Sequence, residues 1–360
     1  NLEAFTVDNQ LQADFTTGAA EHTLLFGLDY QHRKTDVDWF LGSFPQIDAF
    51  DPEYGAEGTI FPYSQRTRRL EQTGVYLQDQ LAIGNWRLTL GGRNDWVDIS
   101  NDIEDAGLPA RTVEGNHEKF SGRAGLLYLF DNGFAPYLSY SESFSPSSNV
   151  DSDNNLLEPT EGIQYEAGLK FQPPGSASRY TVSLFHIEQE NVANFIQDEN
   201  GGFYEPVGEI RSRGVEIEAQ TQVTDNLLLL GSYTYTDITY QEAEDGTQGN
   251  TVNMVPRHLA SLWSNYSFSS GALNGLDIGL GVRYIGESWA DKENTRKVSS
   301  YTLVDASLRY DLGMLGLNGV EARLNANNLL DKEYVAACYS LARCYFGAER
   351  SVVGTLSYTF

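Results

Sequence analysis

Positive charge is scarce in this sequence, with 24 Lys and Arg against 50 Asp and Glu and a formal net charge of −26. That deficit excludes nucleic acid as the principal partner, because phosphate binding needs a basic face. Cysteine and methionine occur twice each, and apolar residues make up only 41%. The longest aliphatic run is Leu227 to Leu230, far short of the roughly 18–20 residues needed by a membrane helix. Helical periodicity is missing as well. By hydropathy the chain reads as an acidic soluble protein, but membrane β-barrels escape that test.

What is present is period two. Val320, Ala322, Leu324 and Ala326 alternate with Glu321, Arg323, Asn325 and Asn327. Ile163, Tyr165, Ala167, Leu169 and Phe171 alternate with Gln164, Glu166, Gly168, Lys170 and Gln172. Successive strand side chains point to opposite faces, so each segment has an apolar and a polar face. About fifteen such segments are expected, many longer than typical globular strands. Short turns near residues 17–21, 84–85, 132–133, 173–178 and 224–226 alternate with longer polar loops. The loops fall near 41–68, 102–116, 147–159, 241–255, 287–296 and 335–347, and many of the carboxylates lie there, Glu242, Glu244 and Asp245 among them. Segregation of loop length by parity, aromatics near strand ends and a terminal Phe360 in an alternating strand predict an all-β, antiparallel transmembrane barrel. Because bacterial single-chain barrels have even strand numbers, the odd count predicts that the chain is the C-terminal part of a larger barrel.

Several stretches resemble the TonB-dependent outer-membrane siderophore receptors, in particular the ferrichrome and ferrioxamine (hydroxamate) branch. They are Gln72-Thr-Gly-Val-Tyr-Leu-Gln-Asp-Gln80, Leu90-Gly-Gly-Arg93, Tyr137-Leu-Ser-Tyr-Ser-Glu-Ser-Phe-Ser-Pro146 and Gln164-Tyr-Glu-Ala-Gly-Leu-Lys170. Further matches are Gly208-Glu-Ile-Arg-Ser-Arg-Gly-Val-Glu-Ile-Glu-Ala219, Val255-Pro-Arg-His-Leu-Ala-Ser-Leu-Trp263, Asn325-Ala-Asn-Asn-Leu-Leu-Asp-Lys-Glu-Tyr334 and Cys338…Cys344-Tyr-Phe-Gly-Ala-Glu-Arg350. Their order and spacing carry more weight than any one of them.

The resemblance implies a plugged barrel of about 22 strands, of which residues 1–360 would supply the last fifteen or so. The plug, the early strands and the segment that engages TonB–ExbB–ExbD would precede Asn1. It further implies a monomer in the bacterial outer membrane, facing lipid and lipopolysaccharide. No catalysis is implied, and no cofactor, because iron arrives already chelated by the siderophore. Within that setting Cys338 and Cys344 read as a disulfide pinning the last long loop, with two free thiols as the alternative. A hydroxamate shell calls for aromatic surface with a few polar anchors rather than metal ligands. Topology and resemblance together point to Trp39, Phe40, Tyr345 and Phe346 as ligand contacts, with Tyr54, Phe61 and Tyr63 behind them. Each has girdle or loop packing as its alternative. Arg93, Glu216, Glu218, Glu321 and Arg323 are expected on the lumen wall facing the plug. A receptor for another siderophore, cobalamin or a glycan would keep the fold, and a passive porin is the reading from another class.

Other signals are weak. The five histidines are scattered without paired spacing, and Gly279-x-Gly281 lies in a strand with no helix after it. Asp151-Ser-Asp153-Asn-Asn155 begins like a calcium loop, but Leu156 stands where glycine is needed and Gly162 where the closing glutamate should be.

Overall fold

The computed structural model describes residues 1–48, 50–55, 57–198, 201–243 and 246–360. Glu244 and Asp245, two of the expected loop carboxylates, lie outside the described residues. Among the described residues nineteen strands follow one another: β1 (Leu2–Thr17), β2 (Ala20–Ser43), β3 (Thr59–Ile83), β4 (Trp86–Asp105), β5 (Arg111–Tyr128), β6 (Phe134–Ser145), β7 (Thr160–Phe171), β8 (Arg179–Asp198), β9 (Gly201–Thr224), β10 (Leu227–Glu242), β11 (His258–Ser267), β12 (Leu276–Ile285), β13 (Ser288–Trp289), β14 (Lys297–Val298), β15 (Tyr301–Asp311), β16 (Val320–Asn327), β17 (Val335–Ser340), β18 (Arg343–Phe346) and β19 (Ser351–Tyr358). Fifteen form one antiparallel meander in chain order, and β13–β14 and β17–β18 are separate hairpins in two of the loops. Among the described residues the only helical pieces are short 3₁₀ turns, Gly271–Leu273 and Leu312–Leu315.

Each strand pairs with its chain neighbour, so loops alternate between two rims. The lower rim has tight turns, several closed by positive-φ glycines: Gly18, Gly84, Gly133 and Gly175. A left-handed conformation at these positions costs glycine nothing. The upper rim carries the long connections. The register splits the side chains as the alternation predicts. Leu88, Leu126, Leu138, Ala167 and Leu184 lie in one cross-strand row on the outer face. Leu262, Val282 and Val304 form another. Dozens of such large apolar side chains are exposed, far beyond what a water-facing surface carries. Hydrocarbon is the solvent that suits this wall.

Aromatic pairs mark the lower edge of the apolar belt: Phe15 stacks on His22 at 4.7 Å, Trp86 meets Tyr128 edge-on at 4.7 Å, and Phe134 stacks on Phe171 at 4.2 Å. Tyr140 and Tyr165, 5.2 Å apart, lie nearer the upper edge. Amphipathic rings favour this boundary between hydrocarbon and water.

Two expectations need correction. Residues 41–43 and 59–68 continue β2 and β3 rather than forming a loop, so Phe61 and Tyr63 are strand residues. The inner face is also not polar throughout. Near the upper rim it buries Leu70, Val97 and Ile99, with Phe144 and Leu156 packed against them. The segment 147–159 therefore folds back onto the inner wall: Asn101 Nδ2 donates to the Ser148 carbonyl at 3.0 Å, and the Tyr204 amide donates to the Val150 carbonyl at 3.0 Å.

Candidate functional site

The inner wall is held by ion pairs across strands. Asp29, Gly74 and Asp95 are aligned across β2, β3 and β4. The Arg93 guanidinium reaches over Gly74, where a Cβ would overlap it, and pairs with both Asp29 and Asp95. Gln72 Nε2 adds a 2.7 Å bond to Asp95. Further round the wall Arg309 bridges Asp277 (2.7 Å) and Glu321 (2.6 Å), and Arg323 donates to Glu321 at 3.0 Å. Glu216 and Glu218 line a recess of about 200 Å³ with Tyr137, Glu166, Lys170, Thr181 and Ser183. Tyr137 Oη donates to Glu166 there. An internal body meeting this wall would find a largely paired polar surface with a carboxylate-rich recess.

The expected ligand aromatics fall into two groups at the upper rim. Trp39 pairs in register with Ser64, which pairs with Asp105, so all three lie on the inner side. Ser64 Oγ donates to Asp105 at 2.6 Å. A bulge between Trp39 and Phe40 shifts the register, so that Phe40 faces Pro62 and Leu41 faces Phe61; bulges commonly re-aim side chains beside functional sites. Tyr54 lies on the connection between β2 and β3 and is fully available to solvent, while Tyr63 sits near the start of β3. The second group is Tyr345 and Phe346 on β18, opposite Ala337 and Val335; Phe346 is 82% exposed. All seven aromatics are exposed, and among the described residues no ring contact joins the two groups. The structure thus places Trp39, Phe40, Phe61 and Tyr63 on neighbouring stretches of β2 and β3, and Tyr345 and Phe346 separately on β18.

Cys338 and Cys344 form a disulfide, and its surroundings show a wider role than closing one hairpin. Cys338 is 4% exposed and packs with Ala290, Val298 and Val335. Three loops meet around this cluster. Asn253 Nδ2 donates to the Tyr339 carbonyl at 3.1 Å, Asn250 Nδ2 to the Lys292 carbonyl at 2.9 Å, and Asn294 exchanges two 2.8 Å bonds with the Thr251 backbone. Replacing both cysteines with serine is expected to cost about 2–2.5 kcal/mol by loop-closure entropy. Hydrogen exchange should quicken in residues 287–298 as well as 335–346; a change confined to 335–346 would show that the loops are independent.

Asp291 organises the middle loop. Burial works against its charged form. Bonds from the Thr295 amide and hydroxyl and from the Arg296 amide outweigh that, and hold its pKa below the usual aspartate range. A carboxyl lowered on folding stabilises above its unfolded value and loses that contribution as pH falls through the folded value. Protection of residues 291–296 should therefore persist above about pH 4 and fail below it, and Asp291→Asn should remove that pH dependence. Asp151 is lowered in the same way: burial opposes ionisation, but bonds from Asn155 and Asp153 prevail. The calcium-like stretch therefore uses its first carboxylate to close its own turn.

The sequence reading missed an inner-face group of polar atoms lying near segment 147–159. Arg68 Nε, Asn101 Oδ1, Arg111 Nε and His117 Nε2 are buried without a protein partner. Arg68 pairs in register with Asn101, Arg111 with Ile103 and His117 with Val97. Strand register is the signal that finds them, because all four share a face with the buried Val97 and Ile103.

Residues 1–329 match the family described as TonB dependent receptor-like, beta-barrel. The chain belongs to the TonB-dependent receptor β-barrel family. Its outer apolar belt is the lipid-facing wall of an outer-membrane barrel. Over its whole length the receptor barrel is 48% identical to the ferrioxamine B receptor of Salmonella typhimurium, covering 51% of that protein. It is 42% identical to the ferrichrome outer membrane transporter/phage receptor of Escherichia coli, covering 49% of it. The structure of the siderophore receptor PiuA from Acinetobacter baumannii superposes with a TM-score of 0.81 at 25% identity, over 99% of this chain and 56% of that one. The chain spans about half the length of the curated relatives it matches.

Proposed function

We propose that this barrel is the transport wall of an outer-membrane receptor that binds ferric hydroxamate siderophores and imports them in a TonB-dependent step powered through ExbB–ExbD. The observation carrying this reading is the 42–48% identity, over the whole chain, to receptors named for ferrioxamine and ferrichrome. Iron is cargo, wrapped by the siderophore before it meets the protein. The ligand would be captured at the upper rim by Trp39, Phe40, Tyr345 and Phe346, with Tyr54, Phe61 and Tyr63 supporting. Exposed aromatic surface supports this, because it suits an organic shell with few charges. The receptor would act as a monomer among lipid and lipopolysaccharide.

The sheet's edges support a larger barrel. β1 and β19 are exposed along their whole lengths, and unpaired backbone groups are not tolerated in hydrocarbon. About seven further strands would pair those edges and close a barrel of about 22, around a plug that meets Arg93, Glu216, Glu218, Glu321 and Arg323. The full-length gene should restore growth of an iron-starved receptor knockout on ferrichrome or ferrioxamine B, only when TonB is present. Failure with every hydroxamate would overturn the ligand class. Rescue without TonB, together with open-channel conductance, would favour a passive porin.

A further inference from the structure

The outer wall of the barrel is not evenly convex. Between β4 and β8 it holds an apolar depression of about 530 Å³. Ala124 and Ala167 provide small side chains there, while Leu88, Leu126, Leu138 and Leu184 rise around them. The register shows why these residues meet. Leu88, Leu126, Leu138, Ala167 and Leu184 occupy one cross-strand row, and Ala124, Tyr140, Tyr165 and His186 occupy the next row up. Two alanines on adjoining rows, ringed by Leu88, Leu126, Leu138, Leu184, Tyr140 and Tyr165, thus leave a hollow. Its upper end is closed by groups with polar tips. Tyr140 Oη donates to Glu142 at 2.6 Å, and His186 Nε2 lies 2.9 Å from Glu188.

We propose that this hollow is a specific binding site for one acyl chain of an outer-leaflet membrane lipid. Three observations select that occupant. The hollow is continuous with the lipid-facing belt below it, where Leu169 and Val182 are exposed, so acyl chains already bathe its mouth. Its lining is almost wholly apolar, which suits hydrocarbon and leaves a polar segment's backbone groups unpaired. The polar tips at its upper end lie toward the loop side, so a chain entering from the outer leaflet can keep its headgroup with them. A chain seated in a concavity touches protein on several sides, whereas one lying on a convex wall touches it on one; the contacts add up. The site retains a chain while neighbouring annular lipid exchanges.

Full-length receptor in bilayer nanodiscs containing a lipid with a diazirine on its acyl chain provides the test. Irradiation should concentrate adducts on residues 124–126, 138–140, 165–167 and 184–186, at least fivefold over residues 320–326. Ala167→Phe, which fills the hollow, should bring adducts there to the level of the rest of the belt. Ala322→Phe, an outward substitution on β16, should leave the pattern unchanged. Even labelling around the wild-type belt overturns the site. So does an unchanged pattern in Ala167→Phe that migrates as a folded barrel before heating. If that variant does not fold, the wild-type labelling pattern alone decides.

Discussion

Replacing Arg93 with methionine is expected to lower the unfolding free energy of the receptor by about 3 kcal/mol or more, the usual scale for breaking a buried ion pair from one side. The size follows from what is left behind. Asp95 is 3% exposed and would retain only the bond from Gln72, while Asp29 would lose both guanidinium contacts. A carboxylate stripped of its cation in such a place must hydrate by loosening the wall or take up a proton. Arg93→Lys should lose less, yet remain measurably destabilised, because one ammonium cannot reproduce a planar fork shared between two carboxylates. Arg93→Met combined with Asp29→Asn and Asp95→Asn should recover much of the loss, since the uncompensated charge is gone. Denaturant midpoints of the four proteins, at matching slopes, check this. A single-variant loss below about 1 kcal/mol would mean that lumen water already screens the triad, as it does exposed pairs.

The alternation of Val320–Asn327 and of residues 163–172 was enough to read strand and face, because period two is a local property, whereas the membrane solvent was read from loop-length parity and strand-end aromatics. The polar loops and tight turns between segments then placed the two rims. The upper inner face was less legible. Val97, Ile99 and Ile103 alternate like lumen residues but are buried beneath segment 147–159, and the sequence does not encode which way a loop folds. Phe61 and Tyr63 were read as loop residues because the strands outrun the membrane there, and nothing in the pattern marks where hydrocarbon stops. The disulfide was legible from Cys338 and Cys344 once the family set the compartment. Its burial against Ala290 and Val298 was not, since that contact joins segments some forty residues apart. Family resemblance supplied the ligand class; the residues alone offered only exposed aromatics.

Trp39→Ala and Phe346→Ala are each expected to weaken ferric hydroxamate binding by about ten- to thirtyfold, the range of an aromatic hot spot worth roughly 1.4–2 kcal/mol. Trp39 lies on the inner side of β2, beside the register shift that leaves Tyr63 of β3 without a pairing partner, whereas Phe346 stands on a hairpin secured by the disulfide cluster. Since the two groups make no ring contact with each other, their effects should add, giving at least a hundredfold loss in the double variant. Phe5→Ala and Leu324→Ala remove outward, lipid-facing side chains and should leave binding unchanged. Equilibrium binding of iron-55-labelled ferrioxamine B or ferrichrome to full-length receptor separates the outcomes without relying on the fluorescence of Trp39 itself. Cys338→Ser with Cys344→Ser should weaken binding in proportion to the Phe346 contribution and leave the Trp39 contribution intact, because Phe346 and not Trp39 stands on a segment that the disulfide cluster supports. If Trp39→Ala and Phe346→Ala each change affinity less than threefold while the barrel stays folded, these aromatics serve packing at the rim and the siderophore is held elsewhere. Arg68, Arg111 and His117, whose Nε, Nε and Nε2 atoms are buried on the inner face without a hydrogen-bond partner, would then be the next side chains to replace.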